Sequence, residues 1–200
     1  MQTSKIWYYS ELIKISNREC DLLAKIVTQS DIAALMYSSG TTGMSKGVIL
    51  THKNFIANSL MMMADQDRYG DPKNVFFCFL PMFHIYGLSV ITDHLLAASE
   101  REHGGFDGQV VSGAVPLGRD VMEECAKVIP HADIFQGYGM TEACGIISLG
   151  NPKEEPRLSS STGTLVSGVE SQIASTDTLQ PLPPNQLGEI WLRGPNINAR

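Results

Sequence analysis

An α/β architecture is expected from three features of this sequence. Short, almost wholly apolar runs recur at 32–37, 75–80, 110–111 and 132–135, and each feeds a turn rich in Gly, Ser or Pro. Stretches with helical periodicity lie between them, at 52–63, 88–98 and 119–129. The last part changes character, with strand-like runs at 168–176 and 186–193 around a connection containing Pro181, Pro183 and Pro184. The division that follows is an unassigned segment at 1–30, an α/β core at 31–150 and a β-rich part at 151–200.

Taken in order, residues 1–30 mix aromatic, charged and β-branched positions, with Leu12, Leu22, Leu23 and Ile26 as a partial helical face and no assigned chemistry. From Asp31 the run Ile32-Ala33-Ala34-Leu35-Met36-Tyr37 predicts a buried strand. It delivers Ser38-Ser39-Gly40-Thr41-Thr42-Gly43-Met44-Ser45-Lys46-Gly47, a loop of small and hydroxylated residues carrying one cation. Glycines let a backbone approach an anion, amides and hydroxyls donate to it, and Lys46 adds positive charge, so the loop reads as a phosphate cradle. By composition alone it also fits a solvated loop. The ordinary P-loop is excluded, because that motif requires Gly before and a metal-binding hydroxyl after its Lys, and Lys46 lies between Ser45 and Gly47.

Thr51 is the expected N-cap of a helix through Met63, with Ile56, Leu60 and Met63 at helical spacing. The triplet Met61-Met62-Met63 suits core filling rather than a soft-metal site. Residues 65–74 are polar and predict a surface connection before the second strand at 75–80. After the helical stretch at 88–98, residues 99–105 break the pattern abruptly. The helix at 119–129 presents Val121, Cys125 and Val128 as its apolar stripe, and Pro130 ends it. Residues 132–135 form the next strand, 144–149 are apolar again, and 150–161 is a Pro- and Ser-rich loop.

Composition narrows the function classes. The chain of 200 residues is 43% hydrophobic, enough for one core, and its net charge of −6 with interspersed signs offers no footprint for nucleic acid or an anionic membrane. Cys20, Cys78, Cys125 and Cys144 are widely spaced, as expected of reduced, mostly buried thiols in an intracellular protein. No secretory signal or membrane span is expected; the apolar region at 75–91 is broken by Pro81, His84 and Gly87. The compartment is expected to be cytoplasmic or peroxisomal, although Asn198-Ala199-Arg200 is not the Ser-Lys-Leu address.

The phosphate loop closely resembles the signature of the adenylate-forming enzymes, the superfamily of acyl-CoA synthetases, plant 4-coumarate:CoA ligases and firefly luciferase. Four further stretches fall in that family's order. They are Pro81-Met82-Phe83-His84-Ile85-Tyr86-Gly87, Ser112-Gly113-Ala114-Val115-Pro116-Leu117-Gly118, Gln136-Gly137-Tyr138-Gly139-Met140-Thr141-Glu142 and Leu187-Gly188-Glu189-Ile190-Trp191-Leu192-Arg193-Gly194. The resemblance runs from about Asp31 to the C-terminus and is nearest to 4-coumarate:CoA ligase and its relatives. It implies part of that family's large N-terminal domain: a mixed sheet flanked by helices, with a β-rich C-terminal part.

The resemblance also implies a reaction. A carboxylate attacks the α-phosphate of ATP, giving acyl-adenylate and pyrophosphate, and the thiol of coenzyme A then displaces AMP to form a thioester. ATP, Mg²⁺ and coenzyme A are the implied cofactors, and a small-molecule carboxylic acid is the partner. Ser38, Ser39, Gly40, Thr41, Thr42, Gly43 and Lys46 would hold phosphates. Thr141 would donate to the AMP phosphate and Glu142 would help hold Mg²⁺, a pairing of hard oxygen with hard cation. Tyr138 would face the adenine, with Gly113 and Ala114 across the ring and Gln136 and Gly137 beside it. His84 would approach the reacting carboxylate, and Tyr86, Ala114, Gly137 and Leu149 would line the acyl pocket. His52, His94, His103 and His131 have no zinc-site spacing, and Glu189, Trp191 and Arg193 read as structural β-chain.

Departures from the family pattern bear on specificity. Met44-Ser45 stands for a common Leu-Pro, and Val115 and Gly87 each stand for Ala, which reshapes an apolar pocket and leaves hydroxycinnamate, fatty and jasmonate-precursor acids open. Family members carry a few dozen more residues near 99–106, and continue after the equivalent of Arg200 with a ribose-binding Asp, a hinge and a small C-terminal domain. The sequence is therefore expected to be a shortened member without that domain, either a ligase by descent or a non-catalytic product that binds nucleotide or a partner.

Overall fold

The computed structural model describes residues 26–39, 43–69, 80–98, 109–151 and 159–198. The strand expected at 75–80 therefore falls almost wholly outside the described residues, as do the break at 99–105, Gly40, Thr41 and Thr42, and most of the N-terminal segment.

The chain is α/β, with a mixed central sheet flanked by helices. Strand β1 (Ile32–Ser38) pairs antiparallel with β2 (Lys46–Thr51), so the phosphate-loop sequence closes a hairpin with Ser38 opposite Lys46. The expectation of a fully buried β1 is corrected. Met36 is buried, whereas Ile32, Leu35 and Tyr37 are 59%, 68% and 75% exposed. Side chains alternate across a strand, and only one face of the pair is covered: Met36, Val48 and Leu50 pack with Ile85 and Cys144, supported by Ala34, Phe55 and Leu88. Among the described residues no layer covers the other face.

Helix α1 (His52–Tyr69) starts where the sequence places it, at Thr51. The Asn54 backbone N–H donates to Thr51 Oγ1 (3.3 Å), while Asn54 Oδ1 accepts from Thr51 N–H (2.9 Å) and Thr51 Oγ1 (2.7 Å). This is a reciprocal capping box with Asn in the place usual for Glu or Gln. Two expectations change. The helix runs on to Tyr69, and Asp65 is buried rather than on a surface connection, accepting from Ser167 Oγ (2.6 Å) and Ser167 N–H (3.3 Å). The buried face of α1 is also largely polar, made of Asn54, Asn58, Ser59, Met61 and Asp65, while Ile56 and Leu60 face solvent.

Helix α2 (Ile85–Ala98) begins three residues before the predicted start and packs on α1. The central sheet has the order β3-β4-β5-β6. Strand β3 (Gln109–Ser112) runs parallel to β4 (Asp133–Met140), with α3 (Arg119–Val128) in the connection; β5 (Gly145–Leu149) and β6 (Thr164–Leu165) continue the sheet antiparallel. On α3 the expected stripe is corrected: Met122 is the buried residue, and Val121 and Val128 are exposed. Met122 is anchored under β4, where its sulfur accepts from Gln136 Nε2 (3.8 Å). The two strands expected on either side of the Pro-containing connection are β7 (Glu170–Ala174) and β8 (Glu189–Arg193), and they pair antiparallel. A second core joins Met61, Ala143, Ile147, Val166 and Val169, with Tyr138, Leu149, Leu192 and Ile197 packed against it.

Candidate active site

The site forms where the β1–β2 hairpin meets the end of β4. Strand β4 carries the Gln136 to Met140 part of its motif in extended form, and Thr141–Ala143 then makes a single 3-10 turn. The turn closes because Cys144 adopts a left-handed φ of 53° and returns its N–H to the Thr141 carbonyl (3.0 Å), after which Gly145 takes φ 124° into β5. Thr141 and Ala143 are buried; Glu142 is half-buried and reaches the hairpin. Ser38 Oγ donates to Glu142 Oε1 at 3.0 Å, across 104 residues of sequence.

The hairpin holds Lys46 exposed, opposite Ser38. Gly43 adopts φ 82° with open space around its Cβ position, so its backbone conformation rather than crowding calls for glycine. Ser39 is exposed at the start of the loop.

A second group gathers beside β3 and β4. Tyr86, on the first turn of α2, donates from its hydroxyl to the Val111 carbonyl (3.2 Å), and burial raises its phenol above the ordinary range. A Cβ on Gly113 would lie 3.3 Å from the Tyr86 ring and 3.5 Å from the Gly137 carbonyl, and one on Gly137 would meet Ile146 (3.1 Å) and Leu149 (3.2 Å). Tyr86, Gly113, Gly137 and Leu149 thus converge as a mostly apolar group. Tyr138 lies on the opposite face of β4 from Gly137 and packs half-buried against the second core. Ala114 is exposed in a left-handed conformation, φ 71°.

Two predicted site residues carry structural bonds. Gln136 is buried, accepting from Leu117 N–H at 2.7 Å and donating from Nε2 to the Ser159 carbonyl at 3.5 Å, so its amide pins the turn at 113–118. His84 is exposed, and its Nδ1 accepts from Tyr86 N–H at 3.2 Å, satisfying an orphan donor at the start of α2. That bond makes Nδ1 the acceptor and puts the proton of a neutral ring on Nε2.

The polar bracing behind the site was missed in the sequence. Asn196 Nδ2 donates to the carbonyls of Ala143 (2.8 Å) and Ile146 (3.1 Å), and Asn198 N–H donates to the Glu142 carbonyl (2.9 Å). Between the helices, Asp93 accepts from Ser59 Oγ (2.5 Å) and Asn58 Nδ2 (3.3 Å). Burial lifts the Asp93 carboxyl to about 6 against those two bonds, and burial together with the Asp93 charge pushes the Cys144 thiol up to about 12. The available signal was asparagines and an aspartate within otherwise apolar stretches.

The donor set fits a Mg²⁺ that arrives with phosphate. Among the described residues no group of three or more His, Cys, Asp or Glu is assembled, and Glu142 is the carboxylate next to the hairpin. A single carboxylate that accepts one hydrogen bond leaves oxygen lone pairs free, which suits an ion whose other ligands are phosphates and water. Among the described residues no helix is long and apolar enough to cross a membrane.

The chain is similar to several known proteins. The 4-coumarate–CoA ligase-like 6 of Arabidopsis thaliana is 33% identical, with 86% of this chain and 38% of that protein covered. The peroxisomal OPC-8:0-CoA ligase 1 of the same plant is 35% identical over 86% of this chain and 39% of its own length. For 4-coumarate–CoA ligase CCL1 of Humulus lupulus the identity is 33%, over 97% of this chain and 44% of that protein. The chain thus spans about two fifths of the length of these relatives. The crystal structure of ATP-bound MatB from Rhodopseudomonas palustris superposes with a TM-score of 0.68 at 28% identity, covering 85% of this chain and 41% of that one. The model of the family described as AMP-binding enzyme matches residues 6–101 and 91–199. On that match the chain belongs to the AMP-binding enzyme family, the adenylate-forming acyl-CoA ligases.

Proposed function

We propose that this chain carries the nucleotide-holding half of an ATP-dependent acid:CoA ligase. The observation that carries the reading is the bond from Ser38 Oγ to Glu142 Oε1, which joins the start of the phosphate loop to the Thr141–Glu142 turn. A polyphosphate lying along the hairpin would meet Lys46 and the hydroxyls of Ser38 and Ser39, with the amide of Gly43 beside them; Gly40, Thr41 and Thr42 are assigned to the same phosphates from the sequence motif alone. Thr141 would donate to the phosphate that becomes AMP. Glu142 would hold Mg²⁺, which supplies charge neutralisation to the phosphate oxygens when bound.

In the first step the carboxylate of the acid forms a bond to the α-phosphorus and pyrophosphate leaves. In the second the sulfur of coenzyme A attacks the acyl carbon and AMP leaves. The protein's contribution is positioning and electrostatics. His84, exposed and bonded through Nδ1, would orient the carboxylate. The apolar group of Tyr86, Gly113, Gly137 and Leu149 suits an acid with an apolar tail, either a hydroxycinnamate such as 4-coumarate or a fatty or jasmonate-precursor acid.

A second reading is a non-catalytic, nucleotide-binding product of such a ligase. Its support is the exposure of Ile32, Leu35, Tyr37 and Ile49 on the β1–β2 pair, together with the 218-residue alignment to the first relative, which exceeds this chain's own 200 residues and so requires residues that this chain lacks. The experiment is acid-dependent exchange of labelled pyrophosphate into ATP by folded protein, across hydroxycinnamic and fatty acids. Exchange lost in Lys46→Ala supports the ligase and names the acid class. ATP binding without exchange supports the second reading.

A further inference from the structure

The segment at 194–198 carries none of the residues assigned to a substrate, yet it is bonded to the backbone of the site from behind. Asn196 is fully buried, with both protons of its amide committed to the Ala143 and Ile146 carbonyls, on either side of the Cys144–Gly145 bend. Its own carbonyl accepts from Asn54 Nδ2 (3.3 Å), and Asn54 is the residue that caps α1 directly after β2. Asn198 N–H adds the bond to the Glu142 carbonyl. A continuous set of contacts therefore runs from the end of the phosphate hairpin through Asn54 and Asn196 to the turn bearing Thr141 and Glu142.

The amide orientation is fixed, because the reverse would set an oxygen against two carbonyls. In the orientation adopted, Asn196 presents both donors to the turn, and its Oδ1 has no hydrogen-bond partner among the described residues. Gly194 makes room for it: a Cβ there would lie 2.9 Å from Asn196 Oδ1.

We infer that Asn196 is a positioning residue, clamping the Thr141–Glu142 turn to the α1 cap and so fixing Glu142 relative to the phosphate hairpin. The consequence for nucleotide affinity rests on the function proposed above; the clamp itself does not. The test therefore uses two readouts on the full chain, for Asn196→Ala and for Asn196→Ser, whose hydroxyl keeps one donor.

The first readout is alkylation of Cys144, buried beside the clamped turn, relative to Cys125 on α3. The clamp predicts roughly tenfold to a hundredfold faster modification of Cys144 in Asn196→Ala, the equivalent of the two lost hydrogen bonds, an intermediate rate in Asn196→Ser, and no change at Cys125. The second readout is the Kd for ATP with Mg²⁺, expected to rise in the same order. Equal acceleration at both cysteines, or no change at Cys144, overturns the clamp. If Asn196→Ala does not fold, the Ser variant decides by the same criterion. Wild-type protein that fails to bind ATP with Mg²⁺ overturns the proposed function, while the Cys144 rates still decide the clamp.

Discussion

Replacing Asp93 by Asn should stabilise the protein at neutral pH and leave it nearly unchanged in acid. Asp93 sits on α2 against Ser59 and Asn58 of α1, and burial raises its carboxyl from an ordinary 3.8 to about 6. A raised carboxyl means that the folded state binds the proton more tightly than the unfolded chain. Stability contributed by this group is therefore complete below about pH 4 and is lost as pH rises through 6. The shift corresponds to a loss of about 3 kcal/mol once Asp93 is ionised. The amide introduced by Asp93→Asn would keep an oxygen for Ser59 Oγ without the buried charge. The assay is urea unfolding of both proteins from pH 4 to pH 8, comparing their difference at each pH, since other carboxylates cancel in that difference. The advantage of Asp93→Asn should grow between pH 4 and pH 6.5 and level off at up to ~3 kcal/mol. A difference that is flat with pH, or a variant less stable at pH 8, would refute a buried Asp93 charge.

The close approach of β4 to β5 makes a further prediction. A Cβ at Gly139 would come within 1.9 Å of the Gly145 carbonyl oxygen, so Gly139→Ala should cost roughly 3 kcal/mol or more by forcing backbone apart, read as a lower urea midpoint. Gly47→Ala, with nothing within 4 Å of its Cβ position, is the matched control. Tyr86→Phe removes the bond to the Val111 carbonyl and should lose about 1 kcal/mol in the same assay. In wild-type protein the absorbance titration of Tyr86 should lie above the ordinary pH 10, with folded stability falling as pH rises through that range.

Much of the site was legible because its chemistry is local in sequence. The loop at 38–47 announces itself by glycines, hydroxyls and one lysine, and the hairpin then places Ser38 beside Lys46. Thr51 was readable as a cap for the same reason. The burial of β1 was misjudged because Ile32, Leu35 and Tyr37 make the strand apolar on both faces, and periodicity cannot report that these three side chains stay exposed. Helix α1 misled in the opposite sense. Its buried face is written in Asn, Ser and Asp, and Asn58, Asn54 and Asp65 have their partners Asp93, Asn196 and Ser167 at separations of 35, 142 and 102 residues. Such pairs satisfy one another only after folding, so no window of sequence displays them. On α3 a plausible stripe of Val121, Cys125 and Val128 lost to Met122, which is fully buried and bonded by Gln136.

His84 and Gln136 show how recognising a motif differs from assigning a role. Both belong to stretches that resemble the family's signatures, and both make bonds that hold local structure, His84 at the start of α2 and Gln136 at the turn before α3. For Gln136 the amide is occupied by these bonds, so its contribution to nucleotide binding would act through the position of Gly113 and Ala114. His84 keeps its second nitrogen available, and a His84→Ala variant should lose exchange activity while retaining ATP binding, measured by calorimetry.

The proposed nucleotide site unites the β1–β2 hairpin and the Thr141–Glu142 turn, joined through Ser38 and Glu142. Calorimetric titration of ATP, with and without Mg²⁺, into wild-type protein and Glu142→Gln tests it most directly. The predicted result is an ATP affinity that Mg²⁺ strengthens in wild type by about tenfold or more, with that strengthening abolished in Glu142→Gln while metal-free binding persists. An identical Mg²⁺ effect in both proteins, or no ATP binding by folded wild type, would contradict the account.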